Sequence, residues 1–159
     1  MKSLLAALAM AVAVSVAAAS PSILVFSKTA GFRHDSIPEG IAMLWRIAVE
    51  EKWAIEATED AAAFTPENLA RFGVIVFLST TKDVLTDGQM AAMRDHLRSG
   101  HGFVGIHAAT DTEYDDEWYA RLIGAQFAPE SAPLRQTRGF ATPAVAQNAL
   151  VHKSDQRPG

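Results

Sequence analysis

The sequence contains no cysteine. That absence excludes disulfide frameworks, thiolate metal sites, iron–sulfur clusters and cysteine nucleophiles together. Positive charge is scarce as well. Fourteen Lys and Arg stand against 18 Asp and Glu, for a formal net charge of −4 and a pI near 5.7. The chain therefore carries no basic footprint for nucleic acid. No apolar run reaches the roughly 20 residues that a membrane-spanning helix needs. What is present is enough apolar material for a core: 49% of the 159 residues are hydrophobic and the mean hydropathy is +0.08. These values suit one folded domain rather than a disordered chain.

The longest apolar run lies at the N-terminus. Lys2 supplies a positive charge, Leu4 to Ala19 is apolar or small apart from Ser15, and Ala17-Ala18-Ala19 offers an A-x-A cleavage site. This is the pattern of a secretory signal peptide over residues 1–19. No cysteine follows it, so a lipoprotein signal is excluded. The expected mature chain begins at Ser20, is periplasmic or secreted, and retains no stable membrane span.

From residue 20 to 127 short apolar runs alternate with helical patterns. Ile23–Phe26, Trp53–Thr58, Val74–Leu78 and Phe103–Ile106 read as four strands. Between them, Ser36 with Glu39 reads as a capping box opening a helix, and Thr65-Pro66-Glu67 opens a short one. Thr86 with Gln89 predicts a second capping box, for a helix that carries Met90, Met93 and Leu97 and stops at Gly100. Asp115 or Asp116 caps a last helix closed by Gly124. On the first helix, Ile37, Ile41, Leu44, Trp45, Ala48 and Val49 form the expected buried face.

Continuous apolar strands separated by amphipathic helices predict a parallel sheet covered on both faces. Right-handed crossovers favour the strand order 2-1-3-4, with ligands at the carboxyl ends of the strands. Those ends are the loops at 27–36, 79–85 and 107–116. The fourth strand, apolar throughout, is expected to be buried on both faces. From residue 128 the pattern fails. Four of the seven prolines lie there, and residues 128–159 read as an irregular or disordered tail.

Three loops hold the candidate chemistry. The first, Ser27 to Asp35, combines Lys28, Arg33, His34 and Asp35 with an exposed-looking Phe32. It reads either as a site or as an ordinary polar loop ahead of a helix. The second, Ser79-Thr80-Thr81, offers hydroxyls that suit sugar or phosphate contacts and equally suit loop backbone groups. The third sets His107 among small residues at a strand end, the arrangement of a nucleophile elbow with histidine at the centre. Imidazole serves there as a general base or metal ligand, or simply holds the loop. Asp111 is the acid nearest His107, and with His34 it completes enough donors for a divalent metal in an open site. Tyr114, Trp118 and Tyr119 read as an aromatic wall or as core. His96 and His101 read as surface groups or as groups that complement the helix dipole.

Two stretches carry a resemblance to a known family. Ile23 to Ile37 (ILVFSKTAGFRHDSI) resembles the opening motif of the ThuA-like, or trehalose-utilisation, family, and Gly102 to Thr112 (GFVGIHAATDT) is similar to its central motif. Phe64 to Thr81 fits the same pattern, and the resemblance spans about residues 22–127. It implies a flavodoxin-like three-layer α/β sandwich with a mainly parallel sheet, akin to class I glutamine amidotransferases. His107 then occupies the elbow position that those enzymes give to cysteine, so glutaminase activity is not expected. The family is associated with disaccharide use and with oxidoreductases that produce 3-keto sugars. The implied ligand is a small carbohydrate, and the implied partner is a sugar oxidoreductase of the same pathway. Whether the domain turns over its ligand, as a hydrolase or isomerase would, or only binds it stays open. In the catalytic reading His107 is the acid/base, His34 assists, and Asp111 orients an imidazole or binds a sugar hydroxyl. Arg33, Phe32, Thr81, Thr110 and Tyr114 are the expected substrate contacts. Residues 128–159 do not resemble the family's continuation, so the domain reads as truncated or out of frame there.

Overall fold

The computed structural model describes residues 21–127. Residues 1–20, which include the expected signal peptide, and residues 128–159 lie outside them. Strands β1 (Ser22–Phe26), β2 (Ala54–Thr58), β3 (Val74–Leu78) and β4 (Gly102–Ile106) form one parallel sheet in the order β2-β1-β3-β4. Each pair is in register, with Val25 opposite Ala57 and Val76, and Val76 opposite Val104. The predicted topology is therefore the observed one, a doubly wound α/β sheet.

Alternation of side chains divides the core in two. Leu24, Phe26, Ile75 and Phe77 point to one face, where they meet Phe64, Leu69, Phe72, Met90, Met93 and Tyr119. The elements supplying this cover are α2 (Pro66–Leu69), α3 (Asp87–Arg98) and α4 (Glu117–Ile123). Ile23, Val25, Val76 and Leu78 point to the other face, against Ile41 and Leu44 of α1 (Ile37–Glu51). Helices on both faces make three layers. Burying each large apolar side chain in them contributes about 1.5–3 kcal/mol.

Local chemistry explains most of the helix starts. Thr65 accepts from Asn68 N–H, Asp116 accepts from Tyr119 N–H, and Thr86 forms the full capping box with Gln89. Such caps stabilise a helix by about 1 kcal/mol each. The box expected at Ser36 does not form. Ser36 has helical dihedrals (φ −79°, ψ −2°) because the turn begins earlier, with Ile37 N–H donating to His34 O at 3.2 Å. A capping hydroxyl needs an extended backbone to reach back to the first turn.

The buried stripe of α1 is also narrower than expected. Ile37 and Ala48 are buried, Ile41 and Leu44 partly so, while Trp45 and Val49 are 45% and 72% exposed. Among the described residues α1 alone covers its face of the sheet, so nothing packs on its flanks. The same fact leaves Val104 of β4 45% exposed, against the expectation that β4 is buried on both faces.

Candidate functional site

The loops after β3 and β4 are built on strained backbone. Ser79, Lys82, His107 and Glu113 all have positive φ, between 50° and 61°. For side-chain-bearing residues that conformation costs of order 1 kcal/mol or more, and it collects where geometry matters more than stability. His107 follows directly on β4 and starts a 3₁₀ turn over His107–Asp111. A strand turning sharply into a helical turn lifts the intervening side chain above the sheet edge, as in a nucleophile elbow. Gly105 permits the tight return: a Cβ there would meet Ile123 Cδ1 at 2.5 Å and Ala109 Cβ at 3.2 Å.

The topology brings the first loop to the same edge. Thr29 bridges to Thr81, and Ala30 N–H donates to Thr81 O at 2.9 Å. His34 thereby lies on His107, the ring centroids 4.4 Å apart and edge to face. Phe32 packs on His34 in the same way at 4.9 Å. A pocket of about 480 Å³ opens over this ladder, lined by Phe32, His34, His107, Ala108, Thr110, Asp111 and Phe127. Phe32 and Phe127 stand on its rim, 69% and 60% exposed. Phe127 N–H donates to Thr110 O at 2.7 Å, which fixes where that ring stands.

Five of the residues singled out in the sequence thus meet in one pocket: Phe32, His34, His107, Thr110 and Asp111. Arg33, Thr81 and Tyr114, the other expected contacts, do not line it. Arg33 turns away to form a two-pronged ion pair with Glu59 at 2.7 and 2.9 Å. Thr81 is fully buried; its hydroxyl donates to Phe32 O and accepts from Gly31 N–H. Ser79 and Thr80 are buried too, and Thr80 pairs with the Thr112 hydroxyl at 2.8 Å. The hydroxyl loop therefore holds the loops together beneath the pocket. Tyr114 also lies off the lining. Its hydroxyl sits against Asp111 Oδ1 and the Phe127 carbonyl, donating to one at a time. Burial and the adjacent Asp111 raise the Tyr114 phenol above its usual range.

Asp111 does not orient an imidazole. Its Oδ1 accepts from Lys82 Nζ at 3.0 Å and from Tyr114. Among the described residues no group of three His, Asp or Glu side chains converges as a metal site would require.

The aromatic wall resolves mostly into core. Tyr119 is fully buried, donates to Ala109 O at 2.8 Å and is raised by burial. Arg94 lies over the Trp118 ring. His96 is buried as well, not on the surface as expected, and stacks on His101 with centroids 3.8 Å apart. Its neighbours form from the turn between α3 and β4, at the opposite edge of the sheet. Burial, then the charge of His101, lowers the His96 pKa.

Two features of the site escaped the sequence. Phe127 and Ala108 line the pocket without any periodic signal. Glu113, read only as one acid in a run, is buried, and its Oε1 accepts from Val84 and Leu85 N–H at 2.9 and 2.8 Å. It ties the loop after β4 to the loop after β3. Burial raises its pKa, against the opposing pull of those two N–H groups.

The fold and edge pocket define a flavodoxin-like α/β protein. A crystal structure of a ThuA-like protein from Bacteroides uniformis ATCC 8492 resembles it with a TM-score of 0.55 at 18% identity. That likeness covers 67% of this chain and 45% of the Bacteroides one, and at this identity it concerns the fold. The chain spans less than half the length of that relative. The family model for ThuA, trehalose utilisation, matches residues 22–156, and the chain belongs to this family. The match runs to residue 156, against the expectation that the resemblance ends near residue 127 and that the tail from residue 128 is unlike the family. No curated protein matches the chain.

Proposed function

We propose that the pocket binds a saccharide and that His107 is its acid/base group, with His34 assisting. The family membership supports a carbohydrate-utilisation domain. The observation that carries the finer reading is the pair of imidazoles 4.4 Å apart in a pocket rimmed by two exposed phenylalanines. Aromatic faces pack against the apolar faces of sugar rings, while imidazoles and a carboxylate exchange hydrogen bonds and protons with hydroxyls. Phe32 and Phe127 would hold the ring, and Thr110 and Asp111 would contact its hydroxyls. Arg33, Thr81 and Tyr114 act on the pocket indirectly in this reading, through the contacts described above.

A second reading, a binding module without turnover, is favoured by the exposure of the two rim phenylalanines. Turnover of trehalose and of 3-keto-glucosides, assayed beside binding, separates the two. Loss of turnover in His107→Ala with binding retained supports catalysis. Binding by the native protein with no turnover of either substrate supports the module. We also infer export, directed by residues 1–19, and action beside a sugar oxidoreductase that supplies the keto-sugar. Mass spectrometry of the exported protein should find an N-terminus near Ser20; intact Met1 on cytosolic protein would sink the export claim.

A further inference from the structure

Lys82 is tied to the segment that forms the pocket wall by two backbone and two side-chain contacts, although it is not among the residues that line the pocket. Its backbone takes φ +61°, a conformation disfavoured for lysine. In that conformation its N–H donates to Asp111 O at 2.7 Å and its carbonyl accepts from Glu113 N–H at 3.3 Å. Its side chain then returns to the same segment: Nζ lies 3.0 Å from Asp111 Oδ1 and 4.9 Å from the centre of the Tyr114 ring. Space for the lysine stem is provided by Gly31, where a Cβ would meet Lys82 Cγ at 2.7 Å. Asp111 itself is only 18% exposed in its side chain and forms part of the pocket wall.

The division of labour between the two carboxylate oxygens gives this arrangement a function. Both protein donors, Lys82 and Tyr114, engage Oδ1. Among the described residues Oδ2 has no hydrogen-bond partner, on a side chain that lines the pocket. A carboxylate fixed through one oxygen presents the other as a pre-oriented acceptor, and a ligand hydroxyl is the neutral donor that matches it. We propose that Lys82 is a positioning residue that locks Asp111, so that Oδ2 accepts a hydrogen bond from one hydroxyl of the bound sugar. Tyr114 is the second clamp. The hydroxyl-binding part of this proposal rests on the saccharide reading of the pocket; the clamp itself does not.

Two measurements on the same proteins test it. NMR scalar couplings report the Asp111 χ1 angle in the native chain, in Lys82→Met and in Lys82→Arg. One rotamer is expected in the native chain and in Lys82→Arg, and averaging in Lys82→Met. A single unchanged rotamer in Lys82→Met would overturn the clamp whether or not any sugar binds. Calorimetry with trehalose and its monodeoxy analogues reads the second half. One analogue should bind the native protein about tenfold more weakly than trehalose, the loss of a hydrogen bond to a charged group. Lys82→Met should bind that analogue and trehalose alike, and Lys82→Arg should restore the difference. Discrimination that survives in Lys82→Met contradicts the assignment of Oδ2. A native protein that binds none of these sugars removes the saccharide reading and with it the hydroxyl contact, while the rotamer result still decides the clamp.

Discussion

Among the described residues two pairs of histidines are in ring contact, and they lie at opposite ends of the sheet. His34 and His107 meet edge to face at the carboxyl end, in an open pocket, on loops brought together by strand order. His96 and His101 stack nearly parallel, 14° between planes, where α3 turns into β4. In the second pair His96 is buried, its Nε2 has no hydrogen-bond partner among the described residues, and the turn is closed by His101 Nδ1 beside His96 O and Ser99 Oγ. The same side chain thus lines an open pocket in one place and packs beside a turn in the other. What separates them is access to a pocket and support from strained loops, since ring proximity is common to both.

The largest contrast should appear in activity. His34→Ala is expected to lower turnover of the native substrate about a hundredfold, the usual scale of a lost acid–base partner, while His96→Phe leaves it within about twofold. Steady-state kinetics on both variants checks this, and equal losses would erase the distinction between the pairs.

The edges should differ in stability as well. Glu113→Ala leaves two backbone N–H groups without their acceptor and is expected to cost about 2 kcal/mol in urea unfolding. Glu113→Gln keeps one oxygen for both donors and removes a carboxylate that burial disfavours, so it should cost far less. A Gln variant as unstable as the Ala variant would show that charge, not hydrogen bonding, ties the two loops.

Acid should act through the other pair. The folded pKa of His96 lies below the ordinary value near 6.5, so the unfolded chain holds more protons in the interval between them. Stability from this residue is therefore complete above about pH 6.5 and is lost as pH falls toward the folded value. The slope can reach about 1.4 kcal/mol per pH unit. His96→Phe should flatten the unfolding free energy over this interval, and an unchanged slope in that variant would contradict the assignment to His96.

The smallest effect concerns Tyr114. Asp111→Asn removes the carboxylate charge beside the phenol and should bring its titration down toward the usual tyrosine range, read by absorbance at high pH. Tyr119, held by Ala109 O in the core, should not follow.

The sequence made much of this architecture legible, for identifiable reasons. Three continuous apolar runs and one alternating run (Trp53–Thr58), with caps at Thr65, Thr86 and Asp116, specify the strands and most helix starts, and crossover handedness then specifies the order. The meeting of His34 and His107 follows from that order, because β1 and β4 flank β3 and their loops emerge at one edge. Ser36 was misleading because a cap depends on backbone dihedrals as well as on residue type. The roles of Arg33 and Thr81 were hidden because each depends on a partner distant in sequence, Glu59 for one and the Phe32 carbonyl for the other. Lys82 gave no signal, since its place is set by a left-handed backbone that no pattern of side chains encodes. His96 was hidden for a similar reason: its burial requires the neighbouring turn that places His101 on its ring.

One titration tests the central claim most directly. The sequence holds five histidines, His34, His96, His101, His107 and His152, whose imidazole signals can be assigned by NMR. With trehalose added stepwise, His34 and His107 should shift saturably while His96 and His101 stay in place. Shifts confined to His96 and His101, or no shift at His34 and His107 on saturation with a bound sugar, would contradict it.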